Sequence, residues 1–345
     1  MSSETPPASA KPRSKDHAIW DVVCAFFGAP ALLVAHDLKL FTLLGEKPLT
    51  LAEACAALAT PERSTEVLLQ MNVAFGFVDM RDGKYGLTPV AAEYLDEKSP
   101  VSLAGYLDFA VAHHKLWSME NLKKAVLTNS PQVGGTDLFS TPEAQKTFAK
   151  DFTKAMYAHS IGSALEWPEQ VDLSKHRMLL DIGGGSGAQT VGVLLRWPNL
   201  RGTVLDTPPV IAETPGYVGR YNLGDRIDLR AGDMWTDPFP QADVHLYGDI
   251  FHDWPKERGE FLARKSFAAL PPGGKIILRE VLFDDDKRGP VAAAAYGVNM
   301  LLVTLGGQYS KGEIDSLLRQ VGFRDVTIRP PGAGYRSLVI AQKQS

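Results

Sequence analysis

The chain has 345 residues, of which 45% are hydrophobic and 22% charged, an ordinary composition for a globular protein with two domains. Its net charge of -4, without a long basic run, argues against general binding to nucleic acid or anionic membranes. Cys24 and Cys55 lie in apolar helical patterns, so we expect them to be core residues rather than a disulfide. The sequence contains no Cys/His cluster of the kind that binds a metal. The cytoplasm is the expected compartment.

The amino-terminal part is expected to be helical. Residues 1–15 are rich in Ser, Pro and Ala and predict a disordered tail rather than a secretion signal. Residues 16–168 are predicted to form a mainly helical domain, and 169–345 a second domain. No apolar run is expected to reach membrane-spanning length, since Val291–Leu305 is too short.

The first predicted helix is strongly apolar. Apolar residues over Phe26–Leu44 recur at three- and four-residue spacing, up to Gly45. The apolar helices between His17 and Leu44 are more hydrophobic than a solvent-facing segment should be, so we expect them to form a homodimer interface. Thr50 and Glu53 have the spacing of a capping box, which predicts that the next helix begins after Thr50.

A hairpin follows a third helix. Ser64–Phe75 predicts that helix, with Ser64 as a candidate cap, and Phe77–Leu87 contains Asp82-Gly83, a strong turn signal between two short strands. Helices followed by a hairpin are typical of a winged-helix arrangement. DNA binding is nevertheless disfavoured, because the expected recognition helix carries only Arg63 as a basic residue.

Beyond two further helices, Leu103–Leu127 and Pro142–Trp167, strands alternate with helices. Such alternation predicts an α/β domain with a doubly wound, Rossmann-like sheet whose ligands bind at the carboxyl ends of the strands. The predicted strands are Met178–Ile182, Gly202–Leu205, Ile227–Arg230, Val244–Tyr247, Lys275–Glu280, Val326–Ile328 and Ser337–Gln342.

A glycine-rich turn follows the first strand of this domain. Gly183 and Gly185 fit a dinucleotide-binding pattern, but Asp181 would place a negative charge at the strand's end, facing the ligand crevice. That charge repels a pyrophosphate and attracts an ammonium or a sulfonium, both of which S-adenosylmethionine carries. With Asp206 ending the next strand and Asp233 one strand further, this pattern resembles the class I S-adenosylmethionine-dependent methyltransferases.

A candidate general base lies near the end of a later strand. His252 follows Val244–Tyr247 after a short turn, and an imidazole with an ordinary pKa near ~6.5 can accept a hydroxyl proton. Glu280 ends the neighbouring strand, so its carboxylate can face His252 and orient the ring. This pair predicts methyl transfer with base assistance.

Further motifs narrow the resemblance. Phe251–Trp254, Gly273–Glu280, Asn299–Leu302 and Gly306-Gly307 occur in the order found in small-molecule O-methyltransferases of the caffeate and hydroxyindole type, which include bacterial natural-product enzymes. The resemblance covers nearly the whole chain and implies an amino-terminal dimerisation domain. It implies His252 and Glu280 as catalytic residues and a small, hydroxylated, aromatic acceptor.

The same resemblance implies two sets of binding residues. Cofactor contacts are expected from Asp181, Gly183, Gly185, Asp206, Asp233, Met234 and Asp249. Acceptor contacts are expected from Phe152, Met156, Trp254, Asn299 and Met300.

One departure leaves alternatives open. Family members usually read Gly-Gly-Lys-Glu-Arg-Thr where this chain reads Gly306-Gly-Gln-Tyr-Ser-Lys311, so the second carboxylate beside the base is missing. Asp253 is a candidate substitute. The alternatives are C- or N-methylation on the same scaffold, for example metal-dependent methylation of a 2-oxo acid, or a ligand-sensing winged-helix regulator.

Overall fold

The computed structural model describes residues 14–133 and 142–344, so most of the predicted tail, 1–15, lies outside the described residues. The chain divides into two compact units, 1–99 and 100–345. From the sequence, the first domain is predicted to end at residue 168, ahead of the predicted sheet. The helices between residues 104 and 166 instead belong to the second unit, because the longest of them packs on helices that flank the sheet.

The first unit consists of helices and one hairpin. Its elements are α1 (His17–Asp37), α2 (Leu40–Glu46), α3 (Leu51–Leu58), α4 (Glu62–Ala74), β1 (Val78–Arg81), β2 (Lys84–Leu87) and α5 (Pro89–Tyr94). The predicted capping box is present, since Glu53 N donates to Thr50 Oγ1 at 3.3 Å and Thr50 N donates to Glu53 Oε2 at 2.7 Å. The predicted turn is also present, with positive φ at Asp82 and Gly83.

Two local predictions in this unit were wrong. The expected single helix up to residue 44 is two helices, because Lys39 adopts a left-handed conformation with φ of 62° between α1 and α2. Ser64 does not cap α4, which begins two residues earlier after Pro61. The Ser64 hydroxyl donates instead to the Pro61 carbonyl at 2.9 Å, within the first turn.

Helix α1 exposes a large apolar surface. Its most exposed large apolar side chains, each more than half accessible, are Ile19, Trp20, Val22, Phe26 and Phe27. Among the described residues, α1 is the one helix that is long and apolar enough to cross a membrane by length and composition. The expectation that no segment reaches that length was wrong, because His17–Asp37 forms one continuous apolar helix of 21 residues.

The second unit contains the sheet. Its helices are α6 (Ala104–Ala112), α7 (Met119–Thr128), α8 (Pro142–Glu166), α9 (Ala188–Arg196), α10 (Pro208–Glu213), α11 (Pro215–Val218), α12 (Lys256–Ala269), α13 (Val291–Val303) and α14 (Lys311–Val321). Its strands are β3 (Met178–Ile182), β4 (Arg201–Asp206), β5 (Ile227–Ala231), β6 (Val244–Gly248), β7 (Lys275–Glu280), β8 (Arg324–Arg329) and β9 (Ser337–Gln342). All the expected strands are present, whereas the expected helix Leu103–Leu127 is split into α6 and α7.

The sheet order is β5-β4-β3-β6-β7-β9-β8, with β3 to β7 parallel and β9 antiparallel to both of its neighbours. The order reverses between β3 and β6, so a crevice opens there at the carboxyl ends of the strands. Apolar side chains on β3, β6 and β7 are fully buried and form cores on both faces of the sheet. The predicted doubly wound fold is therefore confirmed.

Candidate active site

The turn after β3 is shaped by glycine. Gly183, Gly185 and Gly187 have φ of +67°, +56° and +77°, which side-chain-bearing residues rarely adopt, and α9 begins directly afterwards. A Cβ at Gly183 would lie 2.5 Å from Ile250, whereas a Cβ at Gly185 would meet nothing within 4 Å. Gly183 N also donates to the Leu205 carbonyl at 2.8 Å, which fixes the turn to β4. The backbone at Gly185 thus faces open space.

Asp206 lies where it was expected, at the end of β4 and against this turn. Its Oδ2 accepts a hydrogen bond from Gly185 N at 2.9 Å, and its Oδ1 accepts one from Thr207 N at 2.7 Å. Burial raises the pKa of its carboxyl, while these two backbone bonds oppose the rise. Asp206 therefore both holds the turn in place and offers a carboxylate at the crevice.

Asp181 lies deeper than the sequence suggested. The side chain is only 1% exposed, and a Cβ at Gly184 would be 2.7 Å from its Cγ, so it lies beneath the turn. Its Oδ2 accepts from Thr190 Oγ1 at 2.8 Å, but its Oδ1 has no hydrogen-bond partner among the described residues. Burial raises its pKa to about 7. One unpaired acceptor therefore remains, and the role of Asp181 as a cofactor contact stays a prediction.

Asp233 and Met234 follow β5 in a turn joined to the end of β4. Gly232 N donates to the Asp206 carbonyl at 2.9 Å. The Asp233 carboxylate accepts from Trp235 N at 2.8 Å, and the partly buried Met234 packs on the adjoining core. The structure thus brings this turn to the sheet edge that carries Asp206.

The predicted contact between the candidate general base, His252, and Glu280 is present. His252 lies in a short 3-10 turn after β6, and its Nδ1 is 2.5 Å from Glu280 Oε2 at the end of β7. Phe251 N donates to Glu280 Oε1 at 2.8 Å, so both carboxylate oxygens are engaged. The two side chains are 5% and 1% exposed. With Nδ1 donating to Glu280, Nε2 is the ring nitrogen that can accept a proton.

The imidazole is more basic than the sequence suggested. Burial by itself lowers the pKa of His252, but Glu280, Asp253 and Asp249 together raise it to about 10. The Asp253 Oδ1 atom lies 3.5 Å from His252 Nε2. The expected value near 6.5 was wrong, because three carboxylates surround the ring and the sequence pointed clearly to only one.

Asp249 has a partner that the sequence did not reveal. It was expected to contact the cofactor, but its two carboxylate oxygens accept from Arg336 Nε at 2.8 and 2.7 Å. Burial favours the neutral acid, yet Arg336 lowers the Asp249 pKa to about 2. Arg336 Nη2 also lies 2.9 Å from His159 Nε2, and His159 Nε2 lies 2.8 Å from the Tyr296 hydroxyl. The signal that the sequence offered for this cation was Asp249 itself, because a carboxylate buried near the base needs a positively charged partner.

Part of the predicted acceptor set forms an aromatic cluster. The rings of Phe152 and Trp117 lie 6.1 and 6.3 Å from the ring of Phe109, edge to face in both cases. Asn299 Oδ1 accepts from Trp117 Nε1 at 2.7 Å. Met156 lies one helical turn beyond Phe152 on α8 and is partly buried.

The other two predicted acceptor contacts lie elsewhere. Trp254 packs edge to face on Trp235 at 4.8 Å, beside the turn that carries Met234. Met300 is buried within α13, where its sulfur lies 3.6 Å from Thr304 Oγ1. These contacts place Trp254 on the β5 side of the crevice rather than with Phe152.

A neutral amide lies in the segment where the family has its second glutamate. The Gln308 side chain is buried, and neither atom of its amide has a partner among the described residues. A Cβ at Gly306 would be 2.1 Å from the His252 carbonyl oxygen, so this segment passes directly against the base. Asp253 is the carboxylate that lies nearest to His252 Nε2.

Comparison with known proteins places the chain in a family. The O-methyltransferase dimerisation domain matches residues 20–97, and the O-methyltransferase domain matches residues 119–324. The chain is 32% identical to 3-hydroxy-5-methyl-1-naphthoate 3-O-methyltransferase of Streptomyces sahachiroi, over 99% of this chain and 98% of that one. It is 30% identical to L-tyrosine C(3)-methyltransferase of Streptomyces lavendulae, over 98% and 95% of the two chains.

Among solved structures, human N-acetylserotonin methyltransferase in complex with S-adenosylmethionine is similar to this chain with a TM-score of 0.83 and 28% identity. The match covers 97% of this chain and 100% of that one. The resemblance that the motifs indicated is thereby confirmed. The chain belongs to the S-adenosylmethionine-dependent O-methyltransferases and carries the dimerisation and methyltransferase domains of that family.

Proposed function

We propose that this protein transfers a methyl group from S-adenosylmethionine to a hydroxyl of a small aromatic metabolite in the cytoplasm, with His252 as general base. The observation that carries this proposal is the buried His252–Glu280 pair at the sheet edge that also bears the glycine turn. The related naphthoate enzyme from Streptomyces sahachiroi, whose name describes methylation of an aromatic hydroxyl, supports the acceptor class.

The residues at the turn fit the cofactor. The open space beside Gly185 leaves room for a ligand against the backbone, and the unpaired Asp181 Oδ1 is an acceptor suited to an ammonium. We assign the ribose hydroxyls to Asp206, and the adenine to Asp233 and Met234. When bound, the cofactor supplies a methyl group on a positively charged sulfur.

His252 and Glu280 then do the proton chemistry. The acceptor O–H bond breaks as Nε2 of His252 takes the proton, and the freed electron pair forms the O–CH₃ bond while the C–S electrons return to sulfur. Glu280 holds Nδ1 and stabilises the imidazolium that forms. Because both side chains are buried, water competes poorly for the same nitrogen.

The acceptor surface is aromatic. Phe109, Trp117 and Phe152 present ring edges and faces from α6, the turn after it and α8. Flat apolar walls with few polar groups bind a flat apolar ligand well, and a hydroxyl on that ligand can be directed at the base. This lining supports an aromatic acceptor rather than a 2-oxo acid.

Carbon methylation of a phenol is the second candidate. A phenolate is nucleophilic at ring carbon as well as at oxygen, so the same base serves both outcomes. The missing second glutamate and the related L-tyrosine C(3)-methyltransferase both favour this second candidate. A metal-dependent methylation reaction has less support. Asp249, His252 and Glu280 have ligand atoms within 4.8 Å of one another, but Arg336 already neutralises Asp249.

We expect a labelled methyl group to appear on oxygen. The purified enzyme would be incubated with methyl-labelled cofactor and a panel of phenols and 2-oxo acids, with and without a chelator, and the products analysed by mass spectrometry and NMR. A methoxy product whose yield the chelator leaves unchanged supports the proposal. A methyl group on a ring carbon supports the second candidate, and loss of turnover with the chelator supports a metal-dependent reaction.

We expect a homodimer whose interface includes α1. Its exposed Phe26 and Phe27 need an apolar partner, and the matching dimerisation domain supports a second copy of this chain. Sedimentation should give twice the chain mass of 37.6 kDa. Phe26→Glu with Phe27→Glu should weaken the dimer, whereas Leu195→Glu, at an exposed apolar position on α9, should not. A monomer that binds lipid vesicles through α1 would contradict this prediction.

A further inference from the structure

The Arg336–Asp249 pair lies close to the base but has no part in the proton transfer described above. The Arg336 side chain is 1% exposed and comes from the segment just before β9. Its Nε binds both oxygens of Asp249, and its Nη1 donates to the Gly334 carbonyl at 3.1 Å. A buried guanidinium with this many partners fixes the carboxylate it binds.

Asp249 is one of three carboxylates around the imidazole. Its oxygen, one from Glu280 and a ring nitrogen of His252 all lie within 4.8 Å of one another. Asp249 comes from the end of β6, Glu280 from the end of β7, and Asp253 from the turn of the base itself. Each carboxylate that is not neutralised favours the imidazolium, and an imidazolium cannot accept a proton.

Two described groups packed against the Arg336–Asp249 pair, Tyr296 and His159, add no negative charge at neutral pH. The Tyr296 ring on α13 lies 6.4 Å from the His252 ring. His159 on α8 stays neutral, because burial and then Arg336 lower its pKa to about 3. Buried Arg279 on β7 donates to Gln189 Oε1 and is a second cation in this region. Arg336 is the cation in direct contact with Asp249.

We propose that Arg336 is a positioning residue for His252, because it holds and neutralises Asp249 and so leaves Glu280 and Asp253 as the carboxylates that act on the base. This inference rests on the proposed role of His252 in proton transfer. Without Arg336, Asp249 would compete for the imidazole proton and raise the fraction of His252 that is unable to react.

The test combines single variants with a double variant. Arg336→Met should raise the His252 pKa, and Asp249→Asn, which leaves the guanidinium without its carboxylate, should lower it. NMR of the nitrogen-labelled imidazole in the cofactor-free dimer measures both changes, and a shift of one unit changes the reactive fraction about tenfold below the pKa. Arg336→Met should lower kcat/KM at pH 8 by roughly tenfold or more. Adding Asp249→Asn to it should restore most of that loss, and Arg336→Lys should retain part of the activity.

Arg226→Met is the matched control. Arg226 is a partly buried arginine just before β5, and its guanidinium binds backbone carbonyls of Leu194, Trp197 and Leu200. We expect this variant to lower Tm and to leave the His252 pKa unchanged. It thereby separates a loss of fold stability from a change in the electrostatics of the base.

The outcomes distinguish the two proposals. An unchanged His252 pKa in Asp249→Asn, with no recovery in the double variant, would overturn the role of Arg336 and leave a purely structural ion pair. A shifted pKa that the pH dependence of kcat/KM does not follow would instead refute His252 as the base. If Arg336→Met does not fold, the Asp249→Asn titration decides alone.

Discussion

Replacing His252 with alanine is expected to lower kcat by roughly 10²–10⁴-fold, the usual contribution of a general base. Affinity for S-adenosylhomocysteine, measured by calorimetry, should stay nearly the same, because the glycine turn and Asp206 form contacts with each other that do not involve the imidazole. His245→Gln is the matched control, since it removes a second buried imidazole that binds Ser266. It should cost stability and leave kcat largely intact.

The pH dependence of this reaction has a defined sign. Only the neutral imidazole accepts a proton, and the pKa of His252 in the free enzyme is raised to about 10. kcat/KM should therefore increase with pH across the neutral range and continue to increase into the alkaline range.

Glu280→Gln should lower the rate by less than His252→Ala, because the base remains but loses its orientation. A His252→Ala enzyme with full activity would refute the mechanism.

Replacing Asp206 with alanine is expected to weaken cofactor binding by about 2 kcal/mol, or roughly 30-fold, for two lost charge-assisted hydrogen bonds. The structure adds a second reason, since the carboxylate also holds Gly185 N and Thr207 N. Calorimetry with S-adenosylmethionine and S-adenosylhomocysteine measures the change.

Two further measurements test whether Asp206 binds the cofactor in this way. Asp206→Asn keeps an acceptor oxygen and should lose less affinity than Asp206→Ala. Tight binding of NAD by the unmodified enzyme, without any response to S-adenosylhomocysteine, would show that the turn holds a different nucleotide.

Features set by neighbouring residues could be predicted from the sequence. The bounds of β3, β7 and β9, the capping box at Thr50 and the turn at Asp82-Gly83 all follow from short patterns, and the structure confirms them. The His252–Glu280 pair also followed, because parallel neighbouring strands bring their carboxyl ends together. Each of these features is determined by residues that are close in the sequence or by the geometry of neighbouring strands.

Features set by tertiary contacts could not be predicted. Asp249 and Arg336 are 87 residues apart, and no periodicity or spacing connects them. Asp181 lies beneath its own turn because the three positive-φ glycines fold the backbone over it, which a motif of residue types does not show. The basicity of His252 depends on Asp249 and Asp253, which are its neighbours in the chain, and on Glu280, which is 28 residues away, so it emerges only when the chain is folded.

The position of β9 has a consequence for how the sheet depends on the segment around residue 336. β9 lies not at the sheet's edge but between β7 and β8, and Arg336 lies directly ahead of it. β8 therefore joins the rest of the sheet only through β9. A chain truncated just before residue 336 should keep β3 to β7 but leave β8 without a partner strand, and it should lack the cation that binds Asp249.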